Sequence, residues 1–505
     1  MTSPPPSPSQ DAILAWLLDP ETHGGLPVEH VETHISHLIL VGDTVYKMKR
    51  NIALAFLDFS TLDLREAACH AEIAVNVRTA PDIYRDVIPI TRQENTFALN
   101  GSGAPVEWLV RMWRFDDSRL FDRLATCKVL TDMHILGLAD AVAELHLSEL
   151  PVVPKEGNDC FTRSFRNLLK DLRGETVDTV VANAVNLWAR RAESTYVGVR
   201  EILMSRACEG RVRHCHGDLH LRNICEIDGT VRLFDAIEFD KDIATVDVLY
   251  DLAFALMDLM HRDLRAETAL ALSRYLGATR DYEGLRVLPL FMSARAAVRA
   301  LVALLSPSGR VEALDYLDLA TTLLAPAPAP RLVAIGGRSG TGKTTAARIL
   351  AGRCPGPFGA VMIRSDTTRK RLAGIDPEAK LLAGAYTRAA SEAVYDRVFT
   401  DARRALDAGA CVILDATFLD DAARDGARRV AREAQVPFIG IWLTGDDALL
   451  AKRIAGRGRD ASDADLTVLR HQREPETLDG WSVLDVGADD FCDRLTLSGP
   501  VTGAG

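Results

Sequence analysis

Residues 214–225 read HCHGDLHLRNIC, and the chain continues through EIDGTVRLFD to residue 235. Three histidines and two cysteines within twelve positions first suggest a metal centre. A structural zinc site needs a closed set of four ligands, commonly supplied in closely spaced pairs. His214 and His216 could share one strand face, but no CxxC pair exists anywhere in the chain. The carboxylates and the asparagine form a different pattern. Asp218, Asn223 and Asp235 follow in order, with a hairpin turning at Asp228-Gly229 between the last two. Transfer of a phosphoryl group to a hydroxyl needs an aspartate to receive the proton and an asparagine five residues later for a metal. A second aspartate beyond a short hairpin must bridge that metal to the phosphates.

The loop stands as H-G-D-L-H-x-x-N where protein kinases carry H-R-D-L-x-x-x-N. In this reading Asp218 is the catalytic base, and Asn223 and Asp235 hold Mg²⁺. His216 orients the loop through hydrogen bonds. His220 occupies a position where protein kinases often have lysine, so phosphate contact and a structural bond both stay open. Asp251, with Asp247, braces the loop from the start of a helix in TVDVLYDLAF. Glu238 and Asp240 lie close behind Asp235, and contact with substrate or metal is left open for them without being assigned. Upstream, a strand lysine should meet the nucleotide phosphates and be held by a helix glutamate. VYKMK offers Lys47 and Lys49 on one strand face, with Lys47 preferred, and Glu72 is the partner on the following helix. Met112, beside Trp113, is the expected adenine rest. No G-x-G-x-x-G loop precedes the lysine, and ETHISHLILVGD stands in its place.

A second phosphate loop follows at residues 336–345, GGRSGTGKTT. Gly337 to Thr344 fits G-x-x-x-x-G-K-[ST] after an apolar strand and before a helix. Backbone N–H groups of Gly337, Arg338, Ser339, Gly340, Thr341 and Gly342 can curl around phosphate, and the helix N-terminus adds positive potential. Lys343 brings a point charge, Thr344 a hydroxyl for Mg²⁺, and Thr345 continues the helix start. Asp415, ending the apolar run of VILDAT, is the partner carboxylate for the metal. In MIRSDTTRKRL, Asp366 can accept a hydroxyl proton and Arg369 can clamp phosphate; a helix cap from Ser365 or Asp366 is the plainer alternative. Arg453 and Arg457, with Lys452 and Arg459, lie in a segment that would close as a lid.

With 505 residues the chain is too long for one core. Hydrophobic residues make up 48% and charged residues 26%, a globular composition. No run approaches 18 uncharged apolar residues, so no membrane span is expected. MTSPPPSPSQ lacks the regions of a signal peptide and reads as a disordered tail over residues 1–10. The nine cysteines are then expected as reduced thiols in the cytoplasm. Before Arg331 there are 34 Lys+Arg against 46 Asp+Glu, and from Arg331 onward 25 against 24. Neither balance suits a broad nucleic-acid surface. LLAPAPAPRL marks a semi-rigid spacer. The expected organisation is a unit over 11–325, sheet-rich to about 115 and helical after, a linker at 326–330 and a second unit over 331–505. The second alternates strand and helix, ending with a closing strand near 493–497, which implies a parallel sheet.

The first unit resembles the aminoglycoside phosphotransferase and fructosamine kinase group of the protein-kinase-like fold. The second, through GRSGTGKTT, RSDTTRK, LDAT and the arginine-bearing lid, resembles the P-loop kinases that include polynucleotide 5′-kinases, zeta toxins and chloramphenicol phosphotransferase. THISHLIL, YKMK, LAFLDFSTL and YDLAFALMDL extend the likeness. The whole chain resembles the bifunctional aminoglycoside phosphotransferase/ATP-binding protein family. The resemblance implies a multidomain protein: a two-lobed α+β kinase-like domain, then an α/β P-loop domain with a five-stranded parallel sheet. It implies ATP and Mg²⁺ as cofactors and Asp366 as the base of the second site. The expected activity is transfer of the γ-phosphoryl group to small-molecule hydroxyls at two nucleotide sites. The acidic helical lobe suits a cationic or polyhydroxylated acceptor. Polynucleotide 5′-kinase action by the P-loop half, and a regulatory ATP-binding role for one half, are the alternatives.

Overall fold

The computed structural model describes residues 8–54, 57–93, 96–152, 160–175, 178–381, 386–456, 462–463 and 465–497. Contacts divide the chain into two compact units: Met1–Ser164 with Arg206–Ala255, and Phe165–Ser205 with Leu256–Gly505. The contacts therefore part within the helical region and not at the Ala-Pro spacer.

In the first unit an antiparallel sheet runs in the order Val28–Glu32, Ser36–Val41, Thr44–Lys49, Pro105–Trp113, Tyr84–Gln93 and Thr96–Leu99. SHLILVGDTVYKMK forms the expected hairpin: Val41 pairs with Thr44, and Gly42 takes the positive φ of +57° that the tight turn requires. The chain is ordered earlier than the expected tail allows. Ser9 caps a helix over Gln10–Leu17, whose Ile13 and Leu17 pack on Ile39, Val41, Met48 and Leu109. The helix Leu62–Asn76, capped by Thr61, buries Arg65, Cys69, Glu72 and Asn76. That spacing is one helical face, and it turns Glu72 inward.

Past the helix Asp132–Ser148, the strand Val212–His214 pairs with Thr245–Asp247, so the 216–223 loop leaves a fixed strand end. The expected hairpin pairs Ile224–Ile227 with Thr230–Leu233. Asp228 and Gly229 both have positive φ, as a two-residue hairpin turn demands.

The second unit contains a parallel sheet ordered Val361–Arg364, Val412–Asp415, Leu332–Gly337, Phe438–Thr444 and Trp481–Asp485. Strand order reverses at Leu332–Gly337, so the crevice beyond its carboxyl end is where such sheets bind ligands. The closing strand expected near 493–497 is a correction. Trp481–Asp485 closes the sheet, and Phe491–Arg494 is helical. WSVLD wins because its indole finds a bed: a Cβ on Gly440 would meet Trp481 Cδ2 at 2.6 Å. The helix Arg265–Thr279 also packs on this sheet. Ala269 lies in its core, and Ser273 Oγ accepts the Met362 N–H at 2.8 Å. Among the described residues no helix is long and apolar enough to cross a membrane.

Candidate active sites

In the first unit the two strand lysines converge on one carboxylate. Lys47 Nζ lies 2.7 Å from Glu72 Oε1, and Lys49 Nζ lies 2.5 Å from Glu72 Oε2. Lys47 also reaches Asp235 Oδ1 at 2.5 Å, while Lys49 pairs with Glu238. Burial opposes ionisation of Glu72, but the two ammonium groups overcome it and hold the carboxyl at about 2. Burial likewise opposes the charge on Lys47, yet Asp235 and Glu72 raise it well above the ordinary lysine value. Lys49 has a fully buried side chain, whereas the Asp235 side chain is 44% exposed. Of the two lysines, Lys47 therefore sits beside the open edge of the network.

The 216–223 loop is held from behind. Asp251 Oδ1 accepts the Gly217 N–H at 2.8 Å, and Oδ2 accepts the His216 N–H at 3.1 Å. His146 Nε2 lies 3.1 Å from the same Oδ2. His216 reaches Phe234 O at 2.9 Å through Nε2, linking the loop to the residue before Asp235. Burial lowers its pKa, so it stays neutral. Asn223 Nδ2 donates to Asp218 O at 2.9 Å and to Asp218 Oδ2 at 3.1 Å. His220 Nε2 lies 3.4 Å from Asp218 Oδ2, and its ring meets the Phe254 edge. Asp247, expected beside Asp251, instead receives both ends of Arg206 at 2.7 and 2.8 Å. Met112 points into the core with Cys69, Ile83 and Val110, while Trp113 is partly exposed under the Arg85 guanidinium.

His146, Cys215 and Asp251 offer ligand atoms within 4.8 Å of one another. Asp251 is already committed to two amides and His146. Cys215 Sγ faces Val246 O. These bonds account for the cluster without zinc.

In the second unit Gly337 ends its strand at φ +142°, where a Cβ would stand 2.4 Å from Leu443 O. Only glycine fits there. Lys343 opens the helix Lys343–Arg353 and reaches Arg338 O at 2.9 Å. Thr344 Oγ1 donates to Asp415 Oδ2 at 2.7 Å, so the expected hydroxyl and carboxylate do meet. Arg338 is tied to Asp447 at 2.6 Å. Ser339 and Thr341 are buried, and Thr345 is exposed. The Ser339 N–H donates to Gln472 at 2.8 Å. Asp366 lies in the first turn of the helix Ser365–Leu372, whose N-cap is Arg364 with no side-chain cap bond. The plain capping alternative is thus not what this turn uses. Burial raises the Asp366 carboxyl, with Asp415 adding to the effect and Arg364 and Lys343 opposing it. Arg369 bonds Ser391 at 3.2 Å and lies 5.0 Å from the Tyr386 ring. Arg453 reaches Val486 O at 3.3 Å, with its Nη1 facing Gly342. Arg457 and Arg459 lie outside the described residues.

Several partners escape sequence reasoning. Asp463 accepts from Lys370 at 3.0 Å, the Leu381 N–H at 3.1 Å and the Tyr386 hydroxyl at 2.8 Å. His146 is equally unheralded, since one histidine on an apolar helix carries no spacing signal, and the pairing of Glu238 with Lys49 has none either. A cavity of about 840 Å³ is bordered by Asp420, Asp421, Arg424, Gln472, Arg473 and Glu474, and of these Gln472 accepts the Ser339 N–H of the P-loop.

Both sites suit Mg²⁺ and a nucleotide: hard oxygen donors stand beside a lysine, and the second adds a glycine cradle that a Cβ would fill. The second unit thus carries a P-loop at the carboxyl end of its central parallel strand, and the first a buried lysine–glutamate pair beside a loop held by Asp251. Residues 332–475 match the family model described as AAA domain. Over 446 residues the chain is 30% identical to the uncharacterized proteins Rv2004c of Mycobacterium tuberculosis and Mb2027c of Mycobacterium bovis, covering 86% of this chain and 87% of each relative. The chain belongs to the family of these mycobacterial proteins. A choline/ethanolamine kinase family protein from Mesorhizobium loti is similar at 13% identity and a TM-score of 0.39, over 63% of this chain and 95% of that one. A gluconokinase from Sinorhizobium meliloti 1021 is similar at 19% identity and a TM-score of 0.24, over 33% and 89%.

Proposed function

We propose that the chain transfers the γ-phosphoryl group of ATP to hydroxyls of small molecules, with one nucleotide site in each half. The observation that carries this is the convergence of Lys47, Glu72 and Asp235 in one half and of Thr344 and Asp415 in the other. In the first site Asp218 receives the acceptor proton, and Asn223 holds its carboxylate in place. Asp235 and Asn223 would hold Mg²⁺ there, and Lys47 would meet the phosphates. In the second, Asp366 is the base and Arg369 the clamp, Lys343 meets phosphate, Arg453 flanks the cradle, and Thr344 and Asp415 would hold Mg²⁺. The bound metal supplies charge neutralisation on the transferring phosphoryl group. The cavity that Gln472 joins to the Ser339 N–H has the size of a small-molecule site and carries both charge signs, which supports a compact polar acceptor. Nine cysteines outside any disulfide fit a reducing, cytoplasmic setting.

The exposed Tyr386 ring under Arg369 favours a second reading for the P-loop half, because such a platform stacks a base. A metabolite panel and a 5′-hydroxyl oligonucleotide, each with labelled ATP, separate the two. Asp218→Ala should abolish transfer to one set of acceptors and Lys343→Ala to the other. Unchanged turnover in either variant sinks the assignment of that site.

A further inference from the structure

Two lysines two residues apart point to the same glutamate, yet only Lys47 also touches a partly exposed carboxylate, that of Asp235. Lys49 is sealed, with no side-chain exposure, and Lys47 retains 10%. One carboxylate does not balance two buried ammonium groups, and an unbalanced buried charge is strongly unfavourable. One further negative charge is needed, and a single short segment offers two carboxylates, one to each lysine. Asp235 pairs with Lys47, and Glu238, three residues on with a side chain 5% exposed, pairs with Lys49. Between them the backbone is pinned on three sides. The Asp235 N–H donates to Tyr84 Oη at 3.1 Å, the Ala236 N–H to Asn76 Oδ1 at 2.8 Å, and the Ile237 N–H to His216 O at 3.0 Å. The same Asn76 donates from Nδ2 to Glu72 O at 3.0 Å. The strand with the lysines, the helix with Glu72 and the segment with Asp235 thus form one closed set of contacts.

We propose that Lys49 and Glu238 are positioning residues of this nucleotide site. Glu238 holds Lys49 on one oxygen of Glu72, which leaves the other oxygen to Lys47 and keeps Asp235 beside it. The inference rests on the reading of the Lys47 edge as the phosphate-facing edge. Without the Glu238 charge, Lys49 draws Glu72 toward itself, and Lys47 loses the anchor that aims it. Removing the Lys49 charge as well ends that competition. A role in packing alone has no such rescue, because the second substitution would add a second defect.

The test uses the full chain carrying Lys343→Ala, so that the first site dominates, titrated calorimetrically with AMPPNP and Mg²⁺ and checked by thermal melting. Glu238→Gln should weaken binding about ten- to hundredfold, the scale of one lost charge-assisted hydrogen bond. Adding Lys49→Met to Glu238→Gln should restore affinity to within about twofold of the parent, the usual limit of additivity. Parental affinity in Glu238→Gln overturns the proposal. So does a folded double variant that binds as weakly as the single one. If Glu238→Gln melts before titration, the double variant decides alone: parental affinity supports the coupling and lost affinity overturns it. Lys47→Ala keeps the two readings apart. Parental binding in Lys47→Ala would refute the nucleotide site itself, whereas weakened binding there with none in Glu238→Gln would refute only the positioning role.

Discussion

Asp366 and Glu72 show how neighbours set opposite fates for buried carboxyls. At Glu72, burial is outweighed by Lys47 and Lys49, and the group stays charged down to about pH 2. Its folded value lies below the unfolded one, so its stabilisation is present above the ordinary glutamate range of about 4.3 and is lost as pH falls through about 2. At Asp366 burial wins, Asp415 adds to it, and the value rises. The folded chain then keeps this proton longer than the unfolded chain. Its contribution to stability is full below the unfolded aspartate value and is lost as pH rises through the folded one. A base must be unprotonated to act, so the acidic limb of P-loop turnover should lie above the ordinary carboxylate range of about 3.9. The Ser462 hydroxyl favours the charged form of Asp366. Ser462→Ala should move that limb further up while turnover at the alkaline plateau changes little. The check is the pH–rate profile of the Asp218→Ala chain with and without Ser462→Ala, and an unmoved limb would sink the role of Asp366 as base.

At the scale of elements, the fifth strand carries more than its place at the sheet edge suggests. Trp481 is 7% exposed, with its ring against Phe418, Phe438 and Trp442. Truncating so large a buried side chain costs about 3–5 kcal/mol. Trp481→Ala should therefore remove or strongly lower the calorimetric transition of the parallel-sheet unit, and Gly440→Ala should lower it by a smaller overpacking effect of about 1–3 kcal/mol. Melting unchanged in Trp481→Ala would refute the packing role. The same strand marks where sequence reasoning stopped. Alternating apolar runs and turn residues made the hairpins, the P-loop strand and most helices readable, because their signals are local. WSVLD has only five residues, two of them polar, and what makes it a strand is glycine on its neighbour, a feature of the fold. The sites divide likewise. Asp218, Asn223, Asp235 and the P-loop were legible through fixed spacing along one segment. Lys49 with Glu238, and Asp463 with Lys370, are pairs made by folding, 189 and 93 residues apart, and no period in the chain announces them.

At the scale of the whole molecule, the Ala-Pro spacer separates segments of sequence more cleanly than it separates contacts. The helix Arg265–Thr279 lies upstream of the spacer yet belongs to the unit with the parallel sheet. Arg265 donates to the carbonyls of Gly352 and Cys354, at the C-terminal end of the P-loop helix, and to that of Gly356 just past it. Arg274 forms a bidentate pair with Glu378 at 3.0 and 2.8 Å, and Arg280 reaches Asp401 at 2.8 Å. Ala269 completes the apolar core that Ala351 and Cys354 line. A fragment cut at the spacer, 331–505, would expose that core face and leave the carbonyls of Gly352, Cys354 and Gly356 and the Met362 N–H without these partners. One extended upstream to begin at residue 256 keeps all of them. The shorter fragment should melt well below the longer one, and its P-loop should bind AMPPNP with Mg²⁺ more weakly, since the helix that opens with Lys343 loses the support at its far end. Paired thermal melts and titrations of 331–505 and 256–505 check this. Equal melting would show that the upstream helix is a passive neighbour. A gap that closes when Arg265→Ala is placed in the longer fragment would assign the support to the carbonyl contacts; a gap that persists would assign it to the apolar face around Ala269.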